Sequence, residues 1–215
     1  MKLRQFTQIW WLSPLTVAMG MATAAEPQQE RPWMVSEARL PEAFPGPGPV
    51  DAVVVKTYPA HRLARVVADG GANGLFMKLF RHIERNEIAM TAPVEMSWGD
   101  RPAGDAAADA GRRREPTAMA FLYGAPTTGR VGADPQDPRV VVEDVPAITV
   151  VSVGLRGAYD AATFERGLGQ LQKWLAAHPE WKPSGDPRTL GYNSPFVPGF
   201  FKYSEVQQPV VAVAQ

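Results

Sequence analysis

The chain contains no cysteine, and that absence excludes several classes of protein. Disulfide stapling, thiolate ligation of a metal, thioether attachment of a cofactor and lipid attachment at a cleavage-site cysteine all require the missing residue. Charge of one sign is lacking too: Lys plus Arg and Asp plus Glu number 22 each. No cationic surplus exists to displace counterions from a phosphate backbone, so a nucleic-acid partner is not expected. Histidine is scarce, with only His61, His82 and His178. The sequence contains no His-Glu-x-x-His, no Gly-x-Ser-x-Gly and no Gly-x-x-x-x-Gly-Lys, and the Gly167-Leu168-Gly169 run lacks the third glycine of a dinucleotide loop. A non-catalytic protein is expected.

Long apolar runs are also missing. The longest, Ile9 to Met21, is broken by Ser13 and Pro14 and falls short of the roughly 18 to 20 residues that span a bilayer. With Lys2 and Arg4 before it and Ala22-Thr23-Ala24 after it, residues 1–24 read as a cleaved secretory signal peptide. Cleavage would leave 20 cations against 22 acids, with no stable membrane anchor. A periplasmic or secreted protein follows as the expectation. Residues 25–49 hold Pro41, Pro45, Pro47 and Pro49 with Gly46 and Gly48, the composition of a semi-rigid extended linker. Order is expected to begin near Val50.

The remaining chain, 45% hydrophobic over the full 215 residues, is long enough to bury one core without disulfides. Val53 to Val55 and Leu63 to Val67 are β-branched runs on either side of Tyr58-Pro59. Leu75, Leu79 and Ile83 recur every fourth residue, with Phe76 and Phe80 as an adjacent row, which predicts a helix over Leu75 to Arg85. The first row is placed on a sheet. The second row either joins the core or lines a cleft. Residues 99–116 carry no aromatic or β-branched residue and read as a mobile loop. Ala118 to Tyr123, Val140 to Val142 and Ile148 to Val153 are further strands. A second helix is predicted over Ala161 to Ala177, with Phe164, Leu168, Leu171 and Leu175 on its buried face. Lys202 to Val206 closes a domain over residues 50–208, leaving 209–215 as a tail that extends the last strand or frays. Two successive units of the same element order predict an α+β fold with an antiparallel sheet and two flanking helices.

Ile88 to Met96, with its Met90-Thr91-Ala92-Pro93-Val94 core, and the later Gly191-Tyr192-Asn193-Ser194-Pro195 block together resemble the SOUL haem-binding proteins. The resemblance runs from about Val53 to Val206. It implies a barrel-like antiparallel sheet built from two pseudo-repeated β-α-β units, with haem or another tetrapyrrole held non-covalently in an apolar cleft. Carried over by position, the implied cleft residues are Phe76, Phe80, Arg81 and His82 on the first helix, with Tyr192, Pro195 and Phe196 on the later loop. A porphyrin is a flat apolar plate with two propionates at one edge, so aromatic walls and a cationic rim suit it. The histidine that some relatives carry before the Tyr-Pro turn is Thr57 here. His82 and His61 remain as candidates for the iron, His82 also reading as a solvent-facing helix residue. His178 reads as a polar residue at a helix C-terminus. The function expected is a tetrapyrrole carrier or buffer outside the cytoplasm. The alternative is a module for other flat apolar molecules, because fold does not fix function.

Overall fold

In the computed structural model, residues 38–69, 74–98 and 115–213 are described. The expected signal peptide, the first part of the expected linker and almost all of the 99–116 loop lie outside them. The two helices fall where periodicity puts them, α1 at Leu75–Arg85 and α2 at Ala161–Ala177. Leu75, Leu79 and Ile83 pack with Val66, Phe121 and Val142 in one core cluster. Phe164 and Leu171 pack with Val153, Leu155 and Val206 in another. Burying a side chain of this size contributes about 1.5–3 kcal/mol, so each helix is fixed mainly by its apolar stripe. Asp160 caps α2 by accepting a hydrogen bond from the Thr163 N–H at 3.0 Å, whereas Gly74 opens α1 at φ 80° without a side-chain cap.

The strands are β1 Val53–Tyr58, β2 His61–Val67, β3 Val94–Ser97, β4 Ala118–Leu122, β5 Gly132–Ala133, β6 Val140–Val145, β7 Ile148–Arg156, β8 Trp181–Pro183, β9 Arg188–Gly191 and β10 Tyr203–Ala212. They form one antiparallel sheet in the order β1-β7-β10-β9-β3-β4-β2-β6-β5, with β8 on β10. Read from its centre, the order is a palindrome. β3 and β9 pair with each other, β4 and β10 come next, then β2 and β7, then β6 and β1. Helix α1 packs on β2, β4 and β6, and α2 on their counterparts β7, β10 and β1. The repeat is therefore one of architecture, with each unit's first strand exchanged onto the other unit.

Only Pro59 and Ala60 separate β1 from β2, although the two lie near opposite ends of the strand order. Three peptide units reach about 10 Å, so the sheet curls strongly to bring its ends together. It is not a closed barrel, because β1 and β5 each have a single partner strand. This corrects the barrel-like expectation to an open, curled sheet.

At the ends, the linker expectation is corrected and the tail takes one of its two expected forms. Pro41 and Gly48 are buried, and Leu40 and Phe44 pack on Tyr58, Tyr192 and Tyr203. The Gly48 N–H donates to Glu205, the Tyr203 hydroxyl donates to the Gly48 carbonyl at 2.6 Å, and the Ala92 N–H donates to the Arg39 carbonyl at 3.0 Å. Residues 39–49 are thus a strap laid against the sheet rather than a spacer. At the other end β10 continues to Ala212, so residues 209–212 extend the last strand, one of the two forms expected of the tail.

Candidate functional site: an apolar cleft and the polar interior behind it

Successive residues of a strand face opposite sides, and β10 uses both. Val206 and Val210 face α2, while Tyr203, Glu205 and Gln207 face the strap. On that side Glu205 is fully buried and accepts hydrogen bonds from Lys56 at 2.6 Å, Ser152 at 2.9 Å and Gln207 at 3.0 Å. Glu95, on β3, is paired with Arg188 at 2.8 Å and Arg65 at 3.2 Å. Burial opposes ionisation of Glu95, but the two guanidinium groups outweigh it and hold the carboxyl below its usual range. These charges are compensated within the fold. They hold the curled sheet together.

The apolar cleft lies between α1, the 90–94 segment and the 191–196 loop. It encloses about 610 Å³ and is lined by Phe76, Met77, Phe80, Met90, Thr91, Ala92 and Val94 on one side, with Tyr192, Pro195 and Phe196 on the other. Phe76 and Phe80 stack at 6.2 Å with planes 13° apart, and Phe76 meets Phe121 edge-on at 5.1 Å. The aromatic wall is thus anchored to the core at its inner end and open at Phe80, which is 38% exposed. The 191–196 loop is pinned from behind. The Asn193 N–H donates to the Tyr159 hydroxyl at 2.7 Å, and the Asn193 side-chain oxygen accepts from the Tyr203 N–H at 2.7 Å. Thr91 donates its hydroxyl to the Leu122 carbonyl, turning the 90–94 segment's apolar groups toward the cleft.

Phe76, Phe80, Tyr192, Pro195 and Phe196 are therefore brought together, and Arg81, His82 and His61 are not. Arg81 is exposed and lies outside the lining. His82 is not solvent-facing: it is 4% exposed and points away from the cleft. Its Nδ1 meets the Asp134 carboxylate, which can only accept, so Nδ1 carries the proton. Its Nε2 is hydrogen-bonded with the Tyr123 hydroxyl at 2.7 Å. Both ring nitrogens are occupied. Burial and then the nearby Asp134 push the Tyr123 phenol up to about 12. His61 is also buried, bonded at Nδ1 to the Pro59 carbonyl at 2.9 Å and met edge-on by Phe44. No imidazole lines the cleft; its sulfurs, Met77 and Met90, are the available soft donors. Tyr192 stays a phenol, because burial and then the Glu205 carboxylate hold its pKa well above the ordinary value.

Met77, and Ala38, Met90, Thr91, Ala92 and Val94 outside the helix, also line the cleft and are not among the expected site residues. Met77 follows Phe76 on α1, and only the position of the facing loop reveals that it borders the cleft. His178 stacks on Trp174 at 3.7 Å and bonds its carbonyl oxygen at 2.7 Å, closing the end of α2 as expected of a terminal helix residue.

An open, curled sheet of two exchanged units with a helix on each is an α+β fold shared by several solved structures. The C-terminal domain of EcmrR shares it at TM-score 0.51 with 16% identity, over 75% of this chain and 98% of that one. A hydrolase from Listeria innocua shares it at TM-score 0.55 with 9% identity, over 76% and 94%. In EcmrR bound to DNA the match has TM-score 0.53 with 14% identity, and this chain spans 58% of that protein. At these identities the likeness is one of fold alone. No curated protein sequence matches the chain. Within this class, the SOUL heme-binding protein family matches residues 33–209, and the chain belongs to that family.

Proposed function

We propose that the cleft binds haem or a related tetrapyrrole non-covalently, and that the protein acts as a non-catalytic carrier or buffer outside the cytoplasm. The observation that carries this reading is the cleft itself. Its volume of about 610 Å³ falls within the roughly 300–1,000 Å³ of small-molecule sites, and its walls are aromatic and thioether groups suited to a flat plate. Phe76, Phe80 and Phe196 would hold the ring faces. Lys202, whose Nζ lies 3.4 Å from the Pro195 carbonyl, stands beside the loop as a cation for a propionate. With no imidazole in the lining, capture is apolar first, and Met77 or Met90 is the candidate for a weak axial contact. The signal-peptide pattern of residues 1–24 supports export, and the balanced charge supports a small molecule rather than a nucleic acid as the partner.

Titration with haemin tests the proposal. A Soret band that saturates at one haemin per chain is expected; uptake that never saturates would remove it. The second reading, a site for other flat apolar molecules, is favoured by the lack of a histidine ligand. It prevails if haemin binds no more tightly than unrelated planar dyes.

A further inference from the structure

The lips of the cleft carry more exposed aromatic surface than ligand capture requires. Phe196 is 94% exposed and Phe200 72% exposed, and Phe201, Met77 and Phe80 add partly exposed apolar surface beside them. Scattered apolar residues are ordinary on a monomer, but an aromatic patch gathered at the mouth of an apolar cleft marks an interaction surface. The charge around it is mainly positive. Residues 75–83 and 191–203, the two lips, contain Lys78, Arg81 and Lys202 and no Asp or Glu, in a chain whose total charge is zero. Arg156 joins them by donating to the Phe201 carbonyl at 3.1 Å. Of the nearby acids, Glu84 follows directly on α1 and is exposed, whereas Glu205 is buried against Lys56 at 2.6 Å, Asp69 pairs with Lys78 at 3.8 Å and Asp160 caps α2.

We propose that this face docks on an anionic lipid bilayer, with Phe196 and Phe200 entering the interface and the cations meeting headgroup phosphates. Aromatic residues settle at the headgroup level of a membrane, and basic residues beside them add electrostatic attraction. A second copy of the chain is the poorer occupant, because a two-fold contact through this patch sets its own cations against each other. Docking in this pose faces the mouth of the cleft toward the bilayer. An apolar plate would then pass between lipid and protein without crossing water. The docking does not depend on which ligand the cleft takes, and its test uses none.

The absence of cysteine makes the test direct, since each substitution creates a single labelling site in the full chain. Phe200→Cys carrying an environment-sensitive fluorophore is compared with the same label at Val211→Cys. Val211 is half exposed and lies eight residues from Tyr203 along β10, roughly 26 Å from the loop. With vesicles containing phosphatidylglycerol, the label at 200 is expected to shift to the blue and brighten severalfold. It should be quenched by lipids spin-labelled near the headgroup, with the response weakened by salt and small in phosphatidylcholine vesicles. The label at 211 should respond little. Equal responses at both sites, or none at 200, would overturn the proposal. So would a blue shift at 200 that appears without vesicles and grows with protein concentration, which would identify a second copy as the occupant. A flat haemin titration would leave this result standing and would fall on the cleft's ligand alone.

Discussion

His82 and Tyr123 lie edge to edge, with ring planes 8° apart and centroids 6.5 Å apart, and the phenol hydroxyl lies 2.7 Å from the imidazole Nε2. With Asp134 on Nδ1 and Arg85 on the same carboxylate oxygen at 2.8 Å, the pair ties α1 to β4 and to the loop between β5 and β6. His82 is thus a structural residue. His82→Ala leaves the Tyr123 hydroxyl and part of Asp134 without partners, at a cost of about 1–3 kcal/mol. Urea unfolding is expected to show that loss while the haemin Soret band keeps its position and intensity. A shifted or missing band in folded His82→Ala would restore His82 to the iron.

The cleft wall gives the opposite pattern. Phe80 is 38% exposed, so Phe80→Ser changes stability little but removes half of the Phe76–Phe80 stack. Haemin affinity is expected to fall about tenfold, equivalent to about 1.4 kcal/mol, which lies within the range of an aromatic contact plus its buried area. Arg81→Ala, outside the lining, is expected to change affinity by less than about twofold, as exposed charges do. Parallel haemin titrations of the two variants measure both effects.

How much of this was legible in the sequence varies by element. The bounds of α1 and α2 follow from apolar spacing because each helix buries a single stripe, and periodicity reports that stripe directly. His82 was misread although it stands three residues after Leu79 and seven after Leu75, which puts it on the same stripe. What makes its burial tolerable is Asp134, an acid 52 residues away in a Gly/Ala/Pro loop that carries no periodic signal. The strap was read as a linker because Pro and Gly resist regular structure in either setting. Its order comes from buried partners on β10, Glu205 and Tyr203, more than 150 residues along the chain. Met77 escaped for a similar reason, since its role is set by the 191–196 loop and not by its own helix.

Two glycines two residues apart on α2, and so on nearly opposite faces of the helix, separate packing from propensity. A Cβ on Gly167 would stand 2.6 Å from Val206 Cγ2 and 2.8 Å from Leu155 Cδ1, whereas a Cβ on Gly169 meets nothing within 4 Å. Gly169→Ala is expected to stabilise by up to about 1 kcal/mol through helix propensity. Gly167→Ala gains the same propensity but must push α2 off β7 and β10, an overpacking of about 1–3 kcal/mol. Thermal unfolding of the two variants should move Tm in opposite directions. A rise in both would mean that α2 packs less tightly than its distances indicate.

His61 sets a pH dependence that can be isolated. Burial lowers its pKa below the ordinary 6.5, assisted by Arg188 and Arg65 and opposed by the Pro59 carbonyl and Glu95. The unfolded chain therefore takes up a proton on His61 more readily than the folded protein does. Stability from the neutral ring is complete above about pH 6.5 and falls as pH drops below it, with a slope of at most about 1.4 kcal/mol per pH unit for one proton. The buried carboxylates act in a lower window. Glu95 and Asp134 have depressed pKa values, so their contribution holds above the ordinary carboxylate range and is lost only below about pH 4.5. His61→Gln removes the titration in the upper window while the other groups stay. Urea unfolding of both proteins from pH 7.5 to 5 should show the difference between their stabilities shrinking as the wild type weakens. If the two curves run parallel across that interval, His61 is not the group that senses acid, and the packing of Phe44 against its ring is not what keeps it neutral.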